Sequence, residues 1–373
     1  MTRRFGPTRL AGLMLLACAV LSSCTSDAPE RTALSEASLP TPSARPTASA
    51  RPTPPPDFTE LDRLVDASGS TCTLVMRGAE VVHEHPAGSR HATRRVYSIT
   101  KSVVGVLAAI AAAEDLLGLD DPVVEHVAGW PAESADVTVR HLMSMTSGRA
   151  RSEAADRAMI GAADQTAAAL AAGQQDEPGT TWRYDNLASQ VLSAVLASAV
   201  GDVEEFARER LLTPLGLTDT TWERDGAGNV KAYAGLVSSC ADLARLAVTM
   251  RDGGRYDGRQ VVPAAAVAEL TTPSSDHNAA YGLLWWTNAP GRVVEVRRAA
   301  GFDRDRAPYA GPIAPAAPAD AFWALGWGNQ LVAVVPSADV VAVRLGPKPA
   351  GPDDLTIDGF SGAVLRGLAG GAD

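Results

Sequence analysis

Strand-like runs stand near the two ends of the foldable part of the chain with helical patterning between them, and this arrangement restricts the fold more than any other feature. Apolar runs bounded by turn residues mark strands at Thr71–Met76 and Glu80–Glu84, separated by Arg77-Gly78-Ala79, and again at Gln330–Val335 and Val340–Leu345, joined through Pro336-Ser337-Ala338-Asp339. Phe58, Leu61, Leu64 and Val65 recur at helical spacing ahead of the first strand. Ser98 opens a long apolar helix through Val103, Val104, Leu107, Ile110 and Ala111, with a glycine stop near Leu116-Leu117-Gly118. From Asp121 to about Gly235 the pattern is helical, over Val139–Met145, Ala155–Ala172, Leu187–Val200 and Glu204–Leu212. A helix over Cys240–Arg251, a strand-like stretch at Trp285-Trp286 and a last helix over about Asp358–Gly367 complete the reading. The expected class is α/β of the α+β type: one mixed sheet with helices on its faces and an inserted helical subdomain at about 121–235.

Before Phe58 the composition changes twice. Arg3, Arg4 and Arg9 precede a twelve-residue apolar run, Leu10 to Leu21, and Leu21-Ser22-Ser23-Cys24 follows. The run is shorter than the roughly 20 residues that span a bilayer. Residues 1–23 are therefore expected to be a lipoprotein signal peptide removed after Ser23, with lipid attached at Cys24; an uncleaved N-terminal anchor is the alternative. Residues 24–57 read as a tether, with eight prolines from residue 25 onward among Ser, Thr and Ala, and 58–373 as the folded domain. The expected location is outside the cytoplasm, on the bacterial membrane. Export leaves Cys72 and Cys240 as the thiols of the mature fold, either joined in a disulfide or buried separately.

Across the 373 residues, 33 Lys+Arg face 43 Asp+Glu, and a formal net charge of −10 argues against a nucleic-acid partner. Only Lys101, Lys231 and Lys348 are lysines, so a lysine at a helix start draws attention. Ser98 and Lys101 are three residues apart on one helix, which puts them on the same face one turn apart. A serine hydroxyl becomes a nucleophile when a base takes its proton, and a lysine becomes a base when burial or nearby positive charge lowers its pKa. The plain alternative is an N-cap serine with a solvated lysine. Tyr184-Asp185-Asn186 stands just before another apolar helix, where a tyrosine can share a proton relay and an amide can bond lysine and substrate; the plain alternative is a tyrosine in a turn before a capping asparagine.

These segments together resemble the class C β-lactamase type of serine hydrolases. The likeness runs through Tyr97-Ser98-Ile99-Thr100-Lys101-Ser102, Val137 to Gly148, Trp182-Arg183-Tyr184-Asp185-Asn186, Pro214 to Thr220, Ala241 to Arg245 and Tyr281 to Trp286, covering about Phe58 to Leu365. It implies a β-lactamase/transpeptidase-like fold with a mainly antiparallel sheet. It also implies an acyl-enzyme mechanism, with Ser98 as nucleophile, Lys101 and Tyr184 as base and proton relay, and Asn186 positioning substrate. Members carry Lys-Thr-Gly or a relative on a strand lining the site, and Gly326-Trp327-Gly328-Asn329-Gln330 stands in its place. Trp327 there offers an apolar wall and an indole donor where a lysine would pair with a substrate carboxylate; packing within the strand is its other reading. Some esterases of this type have a similar Trp-Gly-Gly. The resemblance further implies an oxyanion hole formed by the Ser98 N–H and that of Gln330, to within one residue.

Trp182, Tyr281 and Trp286 are candidates for the acyl or leaving-group pocket, core packing being the alternative. The six histidines show no metal spacing, no Cys-x-x-Cys occurs, and neither a Gly-x-Ser-x-Gly elbow nor a phosphate-cradling glycine loop is present. No metal or cofactor is expected. Arg344 is read as one of a surface pair, or else as a contact for a substrate carboxylate. The function expected is hydrolysis of small esters or amides through acyl-Ser98. A β-lactamase, a D-Ala-D-Ala-type peptidase and a nylon-oligomer-type hydrolase are rivals within the class, and a non-catalytic cell-wall-binding lipoprotein is the rival from outside it.

Overall fold

The two hairpins read from the sequence meet in one sheet. The structure, a computed structural model, describes residues 54–294, 307–347 and 355–370. The signal peptide, Cys24 and all but the end of the tether lie outside the described residues. Helix α1 (Thr59–Ala67) leads into β1 (Cys72–Arg77) and β2 (Glu80–His85), then β3 (Arg94–Arg95) and the apolar helix α2 (Ile99–Ala113). The helical block holds α3 (Val123–His126), α4 (Val139–Met143), α5 (Glu153–Gly161), α6 (Gln165–Leu170), α7 (Asn186–Val200), α8 (Val203–Ala207) and α9 (Thr213–Leu215). After it come β4 (Thr221–Trp222), β5 (Leu236–Ser238), α10 (Cys240–Arg251), a ribbon of β6 (Arg255–Tyr256) and β7 (Arg259–Gln260), and α11 (Ala264–Leu270). The chain continues through β8 (Trp286–Thr287), β9 (Arg292–Val293), β10 (Tyr309–Ala310), β11 (Phe322–Gly326), β12 (Gln330–Val335), β13 (Val340–Leu345) and α12 (Ile357–Leu368).

The main sheet has six strands in the order β2-β1-β13-β12-β11-β8, and its pairs are antiparallel. The last hairpin docks on the first, with Cys72 opposite Leu345 and Arg77 opposite Val340. Every residue of β12 and β13 is buried, as expected when both faces of a sheet are covered and the strands lose their polar alternation. Helix α10 packs on β1, β12 and β13, and α2 on β11 and β12. A Cys72–Cys240 disulfide, with Cα atoms 6.5 Å apart, ties the first residue of β1 to the first residue of α10. A smaller sheet, β3-β5-β4, braces the approach to α2.

Three expected helices differ in extent. Helix α2 ends at Ala113, because Asp115 turns left-handed at φ 58° and the apolar pattern runs on outside the helix. The span read as Ala155–Ala172 is two helices, α5 capped by Ser152 and α6 capped by Asp164, whose carboxylate accepts from the Ala167 N–H. The span read as Glu204–Leu212 is α8 passing into a wider turn over Arg208–Leu212. Among the described residues no single helix is long and apolar enough to cross a membrane.

Candidate active site

Helix α2 is fixed around its first turn before any chemistry is asked of it. The Val96 N–H donates to the Leu236 carbonyl at 3.0 Å, the Leu236 N–H donates to Thr100 Oγ1 at 3.0 Å, and Ser102 Oγ donates to the Leu284 carbonyl at 2.7 Å. Tyr97, directly before the N-cap Ser98, holds φ at 48°, a left-handed conformation that costs a bulky residue on the order of 1–3 kcal/mol and persists where surroundings enforce it. The sharp turn delivers Ser98 at the mouth of an apolar helix.

Lys101 is 1% exposed, and its Nζ donates to Ser98 Oγ at 3.0 Å, to Asn186 Oδ1 at 2.8 Å and to the Tyr233 carbonyl at 2.8 Å. Burial lowers its pKa to about 7, against the opposing pull of Asp156 and Asp185. Tyr184 lies with its ring centroid 4.8 Å from Lys101 Nζ. Burial raises the Tyr184 pKa, so the phenol is neutral at physiological pH. Asn186 is the first residue of α7, whose N-cap Asp185 accepts from the Leu187 N–H at 2.8 Å. The Asp185 carboxyl is pushed up to about 6 by burial, with hydrogen bonds from the Ala188 and Leu187 N–H groups opposing.

An aromatic cluster backs Tyr184. Its ring stacks on Trp286 at 5.9 Å, and Trp182 meets Tyr281 edge-on at 5.4 Å. Trp182, Tyr281 and Trp286 are all buried, so they wall the site from the core side. Trp327 is 43% exposed and meets Tyr97 edge-on at 5.3 Å. It stands in the turn between β11 and β12, where Gly328 and Asn329 take φ of 78° and 59°. The Trp327–Asn329 part of the expected strand motif is therefore a hairpin turn. Gly326, the last residue of β11, passes so close to the Val96 carbonyl that a Cβ there would collide with it. That close approach sets the hairpin against the segment carrying Ser98.

Gln330 opens β12 opposite Gly326, and its amide donates to the carbonyls of Trp327, Gly328 and Gly346. Arg344 is in neither of its expected places. It is fully buried and donates to Ser70 Oγ and to the carbonyls of Gly328, Asn329, Ser68 and Pro347, with burial lowering its pKa to about 10. Backbone carbonyls of a turn and of the segment after α1 take the place of a carboxylate partner, so Arg344 braces the turn that carries Trp327.

Ser98 and Lys101 thus meet Asn186, from a distant motif, in one hydrogen-bonded cluster, with the Tyr184 ring against the lysine. Two contributors carried no readable sign in the sequence: the Tyr233 carbonyl on Lys101, and the Asp156 carboxylate, which accepts from Arg151 and opposes the lowering of the Lys101 pKa. Among the described residues no group of three His, Cys, Asp or Glu side chains is arranged to hold a metal ion.

Fold and cluster together define a chain of the β-lactamase and penicillin-binding-protein fold class. The chain belongs to the beta-lactamase family, which it matches over residues 62–361. It is 24% identical over 221 residues to the "Putative D-alanyl-D-alanine carboxypeptidase" of Escherichia coli O157:H7, a match covering 47% of each chain. The chain thus spans about half the length of that curated relative. Among solved structures it resembles the "Putative 6-aminohexanoate-dimer hydrolase from Bacillus anthracis", with a TM-score of 0.66 and 17% identity over 83% of this chain and 81% of the other. It also resembles EstCE1, a hydrolase with promiscuous acyltransferase activity, with a TM-score of 0.59 and 18% identity over 84% and 96%. At these identities the structural likeness speaks for the fold.

Proposed function

We propose that this chain is an exported serine hydrolase that cleaves small esters or amides through a covalent acyl-Ser98 intermediate. The observation that carries the reading is Lys101 Nζ at 3.0 Å from Ser98 Oγ in a site dry enough to lower the lysine pKa to about 7. A neutral Lys101 takes the hydroxyl proton as Ser98 attacks the substrate carbonyl. The tetrahedral oxyanion is met by the Ser98 N–H and a backbone N–H of the Trp327–Gln330 segment. Neutral Tyr184, its ring beside the same lysine, gives its proton to the leaving group and recovers one from protonated Lys101, and water then releases the acyl group by the same relay. Asn186 holds Lys101 in place, and the exposed face of Trp327 suits an apolar acyl or leaving group. The peptidase and β-lactamase readings call for a cation on a substrate carboxylate where Trp327 stands, which favours esters and neutral amides.

Export and a lipid at Cys24 belong to the same proposal. They rest on the sequence before Phe58, and the Cys72–Cys240 bridge suits an oxidising compartment.

The test is turnover of a short-chain p-nitrophenyl ester by the purified protein, beside Ser98→Ala and with a chromogenic cephalosporin in parallel. The expected result is ester hydrolysis that falls at least about a thousandfold in the variant, with little cephalosporin cleavage. Dominant cephalosporin turnover moves the assignment to a β-lactamase. Turnover of neither substrate, with the wild-type mass unchanged by a serine-directed phosphonate, removes the Ser98 mechanism and favours a non-catalytic cell-wall-binding lipoprotein.

A further inference from the structure

Three successive carbonyls in the turn between β11 and β12 are captured by two buried side chains. Gln330 Nε2 donates to the carbonyls of Trp327 and Gly328, each at 3.2 Å, and Arg344 Nη1 donates to those of Gly328 at 2.9 Å and Asn329 at 3.0 Å. Both donors are themselves fixed. The Gln330 amide also clasps Gly346, just after β13, giving a hydrogen bond to its carbonyl at 2.7 Å and taking one from its N–H at 3.0 Å. Arg344 keeps Nη1 for the turn, while Nε donates to Ser70 Oγ at 2.7 Å and Nη2 to the carbonyls of Ser68 at 3.0 Å and Pro347 at 3.2 Å. A planar fork anchored through two of its nitrogens holds the third in place.

A planar trans peptide points the carbonyl of one residue and the N–H of the next in opposite directions. With the carbonyls of Trp327, Gly328 and Asn329 turned toward Arg344 and Gln330, the N–H groups of Gly328, Asn329 and Gln330 are turned away from them. The segment that meets this turn carries the nucleophile: Gly326 abuts the Val96 carbonyl, and the Trp327 ring meets that of Tyr97, the residue before Ser98, at 5.3 Å. We infer that Arg344 and Gln330 are positioning residues for the oxyanion, holding the turn carbonyls so that its N–H groups face the Ser98 side, where one of them receives the oxygen of the tetrahedral intermediate. This deepens the proposed function and rests on its reading of Ser98 as nucleophile. Neither side chain touches substrate. The guanidinium, still charged at neutral pH, also polarises the peptides it holds and makes their N–H groups better donors.

The experiment uses the full chain and its Arg344→Met, Arg344→Lys, Gln330→Met and Ser98→Ala variants. It measures kcat and KM for the p-nitrophenyl ester, the inhibition constant of an alkyl boronic acid, and thermal unfolding. Boron accepts the Ser98 oxygen to give a tetrahedral adduct with an oxygen where the oxyanion forms. Arg344→Met and Gln330→Met are each expected to lower kcat by about tenfold or more and to weaken boronate inhibition by a similar factor, because the N–H donors lose their aim. Arg344→Lys, which keeps the charge but not the fork, is expected to fall between Arg344→Met and wild type. Gln330→Met and Arg344→Lys keep the test usable if Arg344→Met fails to fold. Folded variants in which kcat and boronate inhibition stay within about twofold of wild type, even with KM raised or the melting temperature lowered, leave the two side chains as supports of the turn alone and overturn the inference. Ser98→Ala retaining wild-type turnover would instead sink the reading beneath it.

Discussion

At the scale of single residues, one buried lysine makes both activity and stability depend on pH. With Lys101 titrating at about 7 in the fold, kcat/KM for an ester is expected to fall tenfold per pH unit below about 7 and to level off above it. Stability follows from the same displacement. The unfolded chain binds a proton at this lysine up to its ordinary 10.5, whereas the folded chain sheds it at about 7. Between those values the unfolded state holds more protons, so the Lys101 contribution to unfolding free energy rises with pH across the window. Asp185 has the opposite sign in a separate window: its carboxyl is raised from 3.8 to about 6, so its contribution is whole below 3.8 and lost as pH rises through 6. Urea midpoints measured from pH 4 to 10 for wild type and Lys101→Met check this, the variant losing the slope between 7 and 10. Ser98, Lys101, Tyr184 and Asn186 were legible in the sequence because two short motifs carry them and their side chains have distinctive chemistry. The Tyr233 carbonyl was not, since a backbone acceptor leaves no mark on residue type. Asp156 was hidden among the other carboxylates of the helical block.

At the scale of elements, legibility follows punctuation. Strands β12 and β13 and helix α10 have the bounds read from sequence, because Pro336 to Asp339 and the Ser239 cap mark where they stop and start. Strand β11 was missed as an element, and its motif was extended through what is a turn. Gly328-Asn329 carries the turn signal, which the family pattern outweighed. The break between α5 and α6 was missed because alanines on both sides keep the helical spacing across it. Two substitutions probe the hairpin. Gly326→Ala forces a methyl toward the Val96 carbonyl and is expected to cost about 1–3 kcal/mol in a urea titration, with kcat falling as the Ser98 segment shifts. Arg344→Met strands the carbonyls of Gly328, Asn329, Ser68 and Pro347. Its expected cost is roughly 3 kcal/mol or more, with a raised KM for substrates that lean on Trp327.

At the scale of the whole molecule, the sheet and the disulfide hold distant parts of the chain together. The bridge closes a loop with a sequence separation of 168, and on loop-entropy grounds its loss is expected to cost about 5 kcal/mol. Cys72→Ser with Cys240→Ser should lower the melting temperature by roughly 8 °C with activity at 25 °C largely kept, and peptide mapping of the wild type without reductant should recover the two cysteines in one linked fragment. The helical block was placed correctly between the two sheet-forming regions, since position in sequence already implied insertion. The seating of the last hairpin on the first was not readable, because strand order leaves no trace in composition or spacing.

That seating has a consequence in time. Strand β13 lies between β1 and β12, so the N-terminal hairpin has no further strand to pair with until β13 has been made, and β12 cannot reach it alone. A growing chain can assemble its helical block early, but the six-stranded sheet and everything leaning on it must wait until β13 has been made. Contacts of such long sequence range make folding slow. A slow-closing sheet therefore leaves the N-terminal hairpin's inner edge open until its last strand arrives.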